Sequence, residues 1–175
     1  MLASVLLLTP MLVGATETPA RSPQLQALDI SVGKWVYHGT TMATPRQKAG
    51  TWTWNADCNW SANNTFLMCS FSNVWSGKAV KSLVVDTWND SDKTYWHYEM
   101  FAGGDGGAKP FISRMSIEGD VWTEYGSSEE KGKKTAYRIV YRYTSPTRVS
   151  VKLETSKDGG AHWYTFAEGA GIKQS

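Results

Sequence analysis

Apolar and polar residues alternate with a period of two on both sides of Asn63-Asn64. Asn tolerates positive φ, so this dipeptide predicts a two-residue hairpin turn. Its register sets Trp60 opposite Leu67, Cys58 opposite Cys69, Trp54 opposite Asn73 and Trp52 opposite Trp75. Trp52, Trp54, Ala56, Cys58 and Trp60 then share one face with Leu67, Cys69, Phe71 and Trp75, while Thr, Asn, Asp and Ser take the other. The two sulfurs fall directly across from each other, roughly 4.5–5.5 Å apart at Cα, which predicts a Cys58–Cys69 disulfide.

The same alternation continues along the chain. Ser22 as N-cap and Pro23 at the first position predict a short helix from Pro23 to Ile30. Short apolar-rich runs broken by Gly, Asn, Asp and Pro then predict strands near 33–41, 49–60, 65–75, 79–88, 94–101, 111–117, 120–125, 135–144, 148–156 and 161–172. A four-residue loop at Asn89–Asp92 would pair Val85 with Trp96 and Leu83 with Tyr98, on an apolar face that also carries Met100. A longer loop around Pro146 pairs Tyr143 with Val149, Tyr141 with Val151 and Ile139 with Leu153. The fold class is all-β, an antiparallel meander of about ten strands forming a barrel or a two-sheet sandwich.

Composition sharpens this picture. Nine Trp, eight Tyr and five Phe are a large aromatic load for 175 residues, suited to filling sheet faces. A net charge of +2 offers no strong field for nucleic acid, and the Lys131, Lys133, Lys134 cluster is balanced by Glu129 and Glu130. Leu6–Val13 with the small residues Val13-Gly14-Ala15 reads as a signal peptide over 1–15 (up to 20). That predicts secretion or periplasmic export, which agrees with an oxidised cysteine pair. No later segment is long and apolar enough to span a bilayer. Residues 23–175 form the single expected domain.

Ser156-Lys157-Asp158-Gly159-Gly160-Ala161-His162-Trp163 matches an Asp-box pattern, but a single copy reads as a hairpin turn in which Asp158 accepts backbone N–H groups and Trp163 packs back. Gly103–Gly107 lacks the Gly-Lys-Ser/Thr of a phosphate loop and reads as a loop at the barrel rim. The sequons at Asn59, Asn63 and Asn89 lie in or beside turns.

Gly33-Lys34-Trp35 opens the first strand, and Lys173 on the last strand is placed to lie across the Trp35 indole. In this the chain resembles the lipocalin-like (calycin) β-barrels. It is most similar to the uncharacterised bacterial secreted proteins of that superfamily, through Cys58-Asn59-Trp60 and the terminal Ser156, Asp158, Gly159, Gly160, Trp163, Glu168, Gly169 and Lys173. The resemblance covers roughly residues 25–173. It implies an eight- to ten-stranded barrel whose cavity, in many relatives, holds a small apolar molecule, and it implies no particular activity.

The leading reading is therefore a binding module for a small apolar or aromatic molecule, without a cofactor. Register places Trp54, Phe71, Asn73, Trp96, Tyr98, Ile139 and Tyr141 around the ligand, with Asn73 and the tyrosine hydroxyls as polar handles. His97 and Glu99 are the acid–base candidates of an alternative enzyme, a lyase, isomerase or hydrolase. The Asn89–Asp92 register turns both of them outward. His38 and His162 complete no metal-ligand spacing. A carbohydrate-binding module would require Trp88, Trp122 or Trp163 in an exposed coplanar row.

Overall fold

The computed structural model describes residues 20–43, 48–75, 77–102, 110–130 and 132–175. The expected signal segment and the Gly103–Gly107 loop lie outside them. The described strands form a closed antiparallel barrel: β1 (Gly33–Thr41), β2 (Gly50–Trp60), β3 (Leu67–Trp75), β4 (Lys78–Asn89), β5 (Thr94–Ala102), β6 (Phe111–Glu118), β7 (Val121–Glu130), β8 (Lys133–Ser145), β9 (Arg148–Ser156) and β10 (Tyr164–Lys173). Each pairs with its sequence neighbours, and β10 closes on β1 with Trp35 opposite Lys173. Closure leaves no free sheet edge.

One end is plugged. Ser22 caps a single turn, α1 (Pro23–Gln26), by accepting from Leu25 N at 3.3 Å. The expected helix then tightens into a 3₁₀ segment over Ala27–Ser31. This segment drives Leu28, fully buried, into the barrel base, where Trp35, Tyr95, Met115, Trp122 and Tyr143 form the core. Trp35 Nε1 donates to Ser31 O at 3.1 Å, and Lys173 sits 5.6 Å from the Trp35 ring centroid while donating to Ile30 O. Trp60 Nε1 donates to Asp29 at 2.8 Å and ties the plug to the β2–β3 hairpin.

That hairpin has the expected register, including Cys58 opposite Cys69, and the disulfide is formed. Its turn is wider than a two-residue one. Ser61 N bonds Phe66 O, Asn64 N bonds Ser61 O, and only Asn64 takes positive φ. A four-residue loop centred on the same dipeptide leaves every pair unchanged. The β8–β9 pairs are also as expected.

The β4–β5 hairpin differs. Asn89 Oδ1 accepts from Ser91 N and Asp92 N, so the loop starts one residue later and ends at Lys93 with φ 50°. Val85 pairs with Tyr98, and Thr87 with Trp96. The face shared by Leu83, Val85, Trp96, Tyr98 and Met100 survives, but it is the outside of the barrel. The inner face is set by β3, which places Val84 opposite Cys69 and Ser82 opposite Phe71.

At the opposite end Trp52 is buried against Trp54 and Trp75, with ring centroids 4.3 and 6.2 Å away. It lies directly on Gly39 of β1 and Gly169 of β10. A Cβ on Gly39 would collide with the Trp52 ring and with the backbone oxygen of Glu168. The backbone oxygen cannot swing aside, so Gly39→Ala should destabilise by about 1–3 kcal/mol. A urea midpoint equal to wild type would contradict that packing. A bulge between Thr165 and Ala167 lets Phe166 join this ring cluster 6.3 Å from Trp75.

Candidate functional site

Between the plug and the opposite end the barrel holds a cavity of about 410 Å³. Alternation on β2 and β3 delivers Trp54, Phe71, Asn73 and Trp75 to one wall, and β8 delivers Tyr137, Ile139 and Tyr141 to another. Of the residues expected to surround a ligand, Trp54, Phe71, Asn73, Ile139 and Tyr141 border this space. Trp96 and Tyr98 do not, because the β4–β5 face is turned the other way. Trp96 lies over an outer hollow of about 590 Å³ with Arg114 stacked 4.9 Å from its ring.

The corrected face brings His97 and Glu99 inward, where both border the cavity with Glu124 of β7. His97 Nδ1 bonds Asp86 Oδ1 at 2.8 Å, across the β4–β5 pair, and Nε2 stands 3.8 Å from Glu124 Oε1. Glu124, 2% exposed, accepts from Ser113 Oγ at 2.7 Å. Glu99 accepts from Ser82 Oγ at the same distance. Burial alone would push the imidazole down, but Glu124, Asp86 and Glu99 outweigh it and raise its pKa to about 10. His97 is therefore an imidazolium at neutral pH. The Glu99 carboxyl is raised chiefly by burial, against the opposing pull of Ser82 and His97. Burial and Glu124 together also raise the Tyr137 and Tyr141 phenols.

Two polar groups on the lining are left over. Asn73 Oδ1 and Tyr137 OH are shielded from solvent and have no hydrogen-bond partner among the described residues. The Tyr137 ring lies over Gly126, where a Cβ would push the phenol aside. Arg138, the one arginine or lysine among the described residues bordering the cavity, is held by Glu154 at 2.6 Å and lies over Trp163. No group of His, Cys, Asp and Glu among the described residues could hold a metal ion.

No protein-family model matches the chain, and no curated protein sequence does either. Solved structures do resemble it. The structure of Rv2717c from M. tuberculosis superposes with a TM-score of 0.58 at 16% identity, covering 88% of this chain and 99% of that one. The S-type phycobiliprotein lyase CPES from Guillardia theta gives a TM-score of 0.54 at 10% identity, covering 89% and 94%. The architecture fits a lipocalin-like fold.

Within this barrel, sequence reasoning missed Asp86, Ser113 and Glu124. Glu124 shares the parity of the buried Trp122, two residues before it, and so was traceable once Trp122 was known to face inward. That burial also removes Trp122 from any exposed row of sugar platforms, and Trp88 packs edge-on against Tyr95 in the same base. His162 and Asp158 stay at the surface turn. There Asp158 accepts from His162 N and Ser156 Oγ, and these bonds hold its carboxyl well below the usual range.

Proposed function

We infer that this chain is a small-molecule-binding barrel. What carries the reading is a cavity of about 410 Å³ whose wall joins indole and phenyl rings to a few inward polar groups. Its ligand is a small apolar or aromatic compound. A disulfide in the barrel wall suits a secreted or periplasmic protein, and no helix among the described residues is long and apolar enough to cross a membrane. Trp54 and Trp75 stack 6.5 Å apart on the lining, so their emission reports directly on occupancy. The neutral probe N-phenyl-1-naphthylamine should quench Trp fluorescence saturably. Trp54→Ala should weaken it five- to tenfold, the loss of a ring contact worth about 1 kcal/mol. A linear, unsaturable response in the wild type would count against an accessible cavity.

A second reading, acid–base catalysis on the same barrel, is favoured by the inward placement of Glu99 and His97. The Glu99 carboxyl, raised by burial, is the group able to exchange a proton with a bound molecule. His97 is held charged by its carboxylates and acts as a fixed donor rather than a base. The Guillardia theta structure is that of a lyase, so a barrel of this shape can host catalysis. A turnover screen comparing wild type with Glu99→Gln tests this reading. An activity indifferent to that change would assign the chemistry elsewhere.

A further inference from the structure

Resting on the binding reading above, we propose that the cavity selects organic cations: ligands that join a flat apolar body to an ammonium or comparable N–H donor. The argument is a matching of donors to acceptors around the polar wall. Three carboxylates converge there, Asp86, Glu99 and Glu124. Three donors on the surrounding strands are spent on them: Ser82 on Glu99, Ser113 on Glu124, and His97 Nδ1 on Asp86. Two carboxylate groups, Glu99 and Glu124, border the open space, and the unpartnered Asn73 Oδ1 adds a third acceptor to the lining. The unpartnered Tyr137 OH can donate as well as accept, but it carries no charge; what the described lining lacks is a cation free to meet these carboxylates.

Charge points the same way. His97 supplies one positive charge against three carboxyls, and Arg138 is neutralised by Glu154. Both imidazolium nitrogens face carboxylates, Nδ1 bonded to Asp86 and Nε2 3.8 Å from Glu124, so the charge of His97 is already compensated within the wall. An anionic ligand would meet an uncompensated negative wall in a low-dielectric interior, where such repulsion is poorly screened. A cation meets the opposite situation. Its apolar body lies against Trp54, Phe71 and Trp75, whose ring faces themselves attract positive charge. The rings select the body and the acceptors select the charge.

The test uses one apolar body in three charge states: 1-naphthylmethylammonium, 1-methylnaphthalene and 1-naphthylacetate. Equilibrium dialysis against the intact protein at pH 7.5 should rank the ammonium at least tenfold tighter than the neutral compound, with the carboxylate weakest. Glu99→Gln keeps the side-chain shape and an acceptor for Ser82, and it should cut the ammonium-to-neutral ratio at least fivefold. Asn73→Leu should lower the ratio as well, by two- to threefold. If the three compounds bind equally, or the carboxylate binds best, the cation preference is wrong while the binding barrel stands. If none binds, the binding reading falls with it. An unchanged ratio in Glu99→Gln would likewise overturn the proposal, because it would remove the carboxylate from the recognition of charge.

Discussion

Replacing His97 with Leu should cost on the order of 3–5 kcal/mol, the loss expected when a buried charge cluster is stripped of its only cation. The imidazolium lies between Asp86 at 2.8 Å and Glu124 at 3.8 Å, in the half of the barrel sealed by the plug. Remove it, and two carboxylates remain buried with only Ser113 as a hydroxyl donor. The pH dependence separates this electrostatic role from simple packing. The folded pKa of about 10 lies above the ordinary value of about 6.5, so the native state holds this proton more tightly than the unfolded chain. The stabilisation is complete below pH 6.5 and disappears as pH rises to about 10. The gap in urea midpoint between wild type and His97→Leu should therefore be widest near pH 6.5 and close steadily toward pH 10. Comparing the gap, rather than either midpoint, cancels the lysines and tyrosines that titrate elsewhere. A constant gap would mean that His97 contributes shape alone.

The position of this histidine also shows where sequence reading succeeded and where it failed. On β2–β3 the rings face inward and the polar residues outward, so alternation and register agree, and the Trp54, Phe71, Asn73 wall could be read directly. The β8–β9 hairpin is the same, with Ile139 and Tyr141 inside. The β4–β5 wall is inverted. Its outer face carries Met68, Val85, Tyr98 and Ile112 in one row across four strands, and its inner face carries Asp86, His97 and Glu99. Choosing the more apolar face as the interior fails wherever a buried polar cluster occupies the core. Hairpin geometry could have decided the matter. Gly77, between β3 and β4, takes a turn conformation with φ 78°. Counting outward from it sets Trp75 opposite Lys78 and Cys69 opposite Val84, which fixes Ser82 and Asp86 on the disulfide's side of the wall. Pairing across β4–β5 then carries His97 and Glu99 inward. The ladder propagates orientation from strand to strand, and hydrophobicity alone does not.

The disulfide that anchors this ladder should be worth about 3 kcal/mol, because it closes a loop of eleven residues' separation in the unfolded chain. Cys58 and Cys69 are buried in the core between Leu67 and Val84, with Cα atoms 4.0 Å apart. The double variant Cys58→Ala/Cys69→Ala should shift the urea midpoint down by about 1–2 M, given an m-value of about 2 kcal/mol/M for a chain of this size. Adding dithiothreitol should lower the wild type toward the variant and leave the variant where it is. The effect should reach the cavity too, since Trp54 and Asn73 lie four residues from the bridge on the same two strands and hold one of its walls. N-phenyl-1-naphthylamine affinity should therefore fall on reduction even well below the unfolding transition. If reduction leaves both the midpoint and the probe affinity untouched, the β2–β3 wall is held by its indoles and backbone pairs, and the sulfur bridge is incidental to the site.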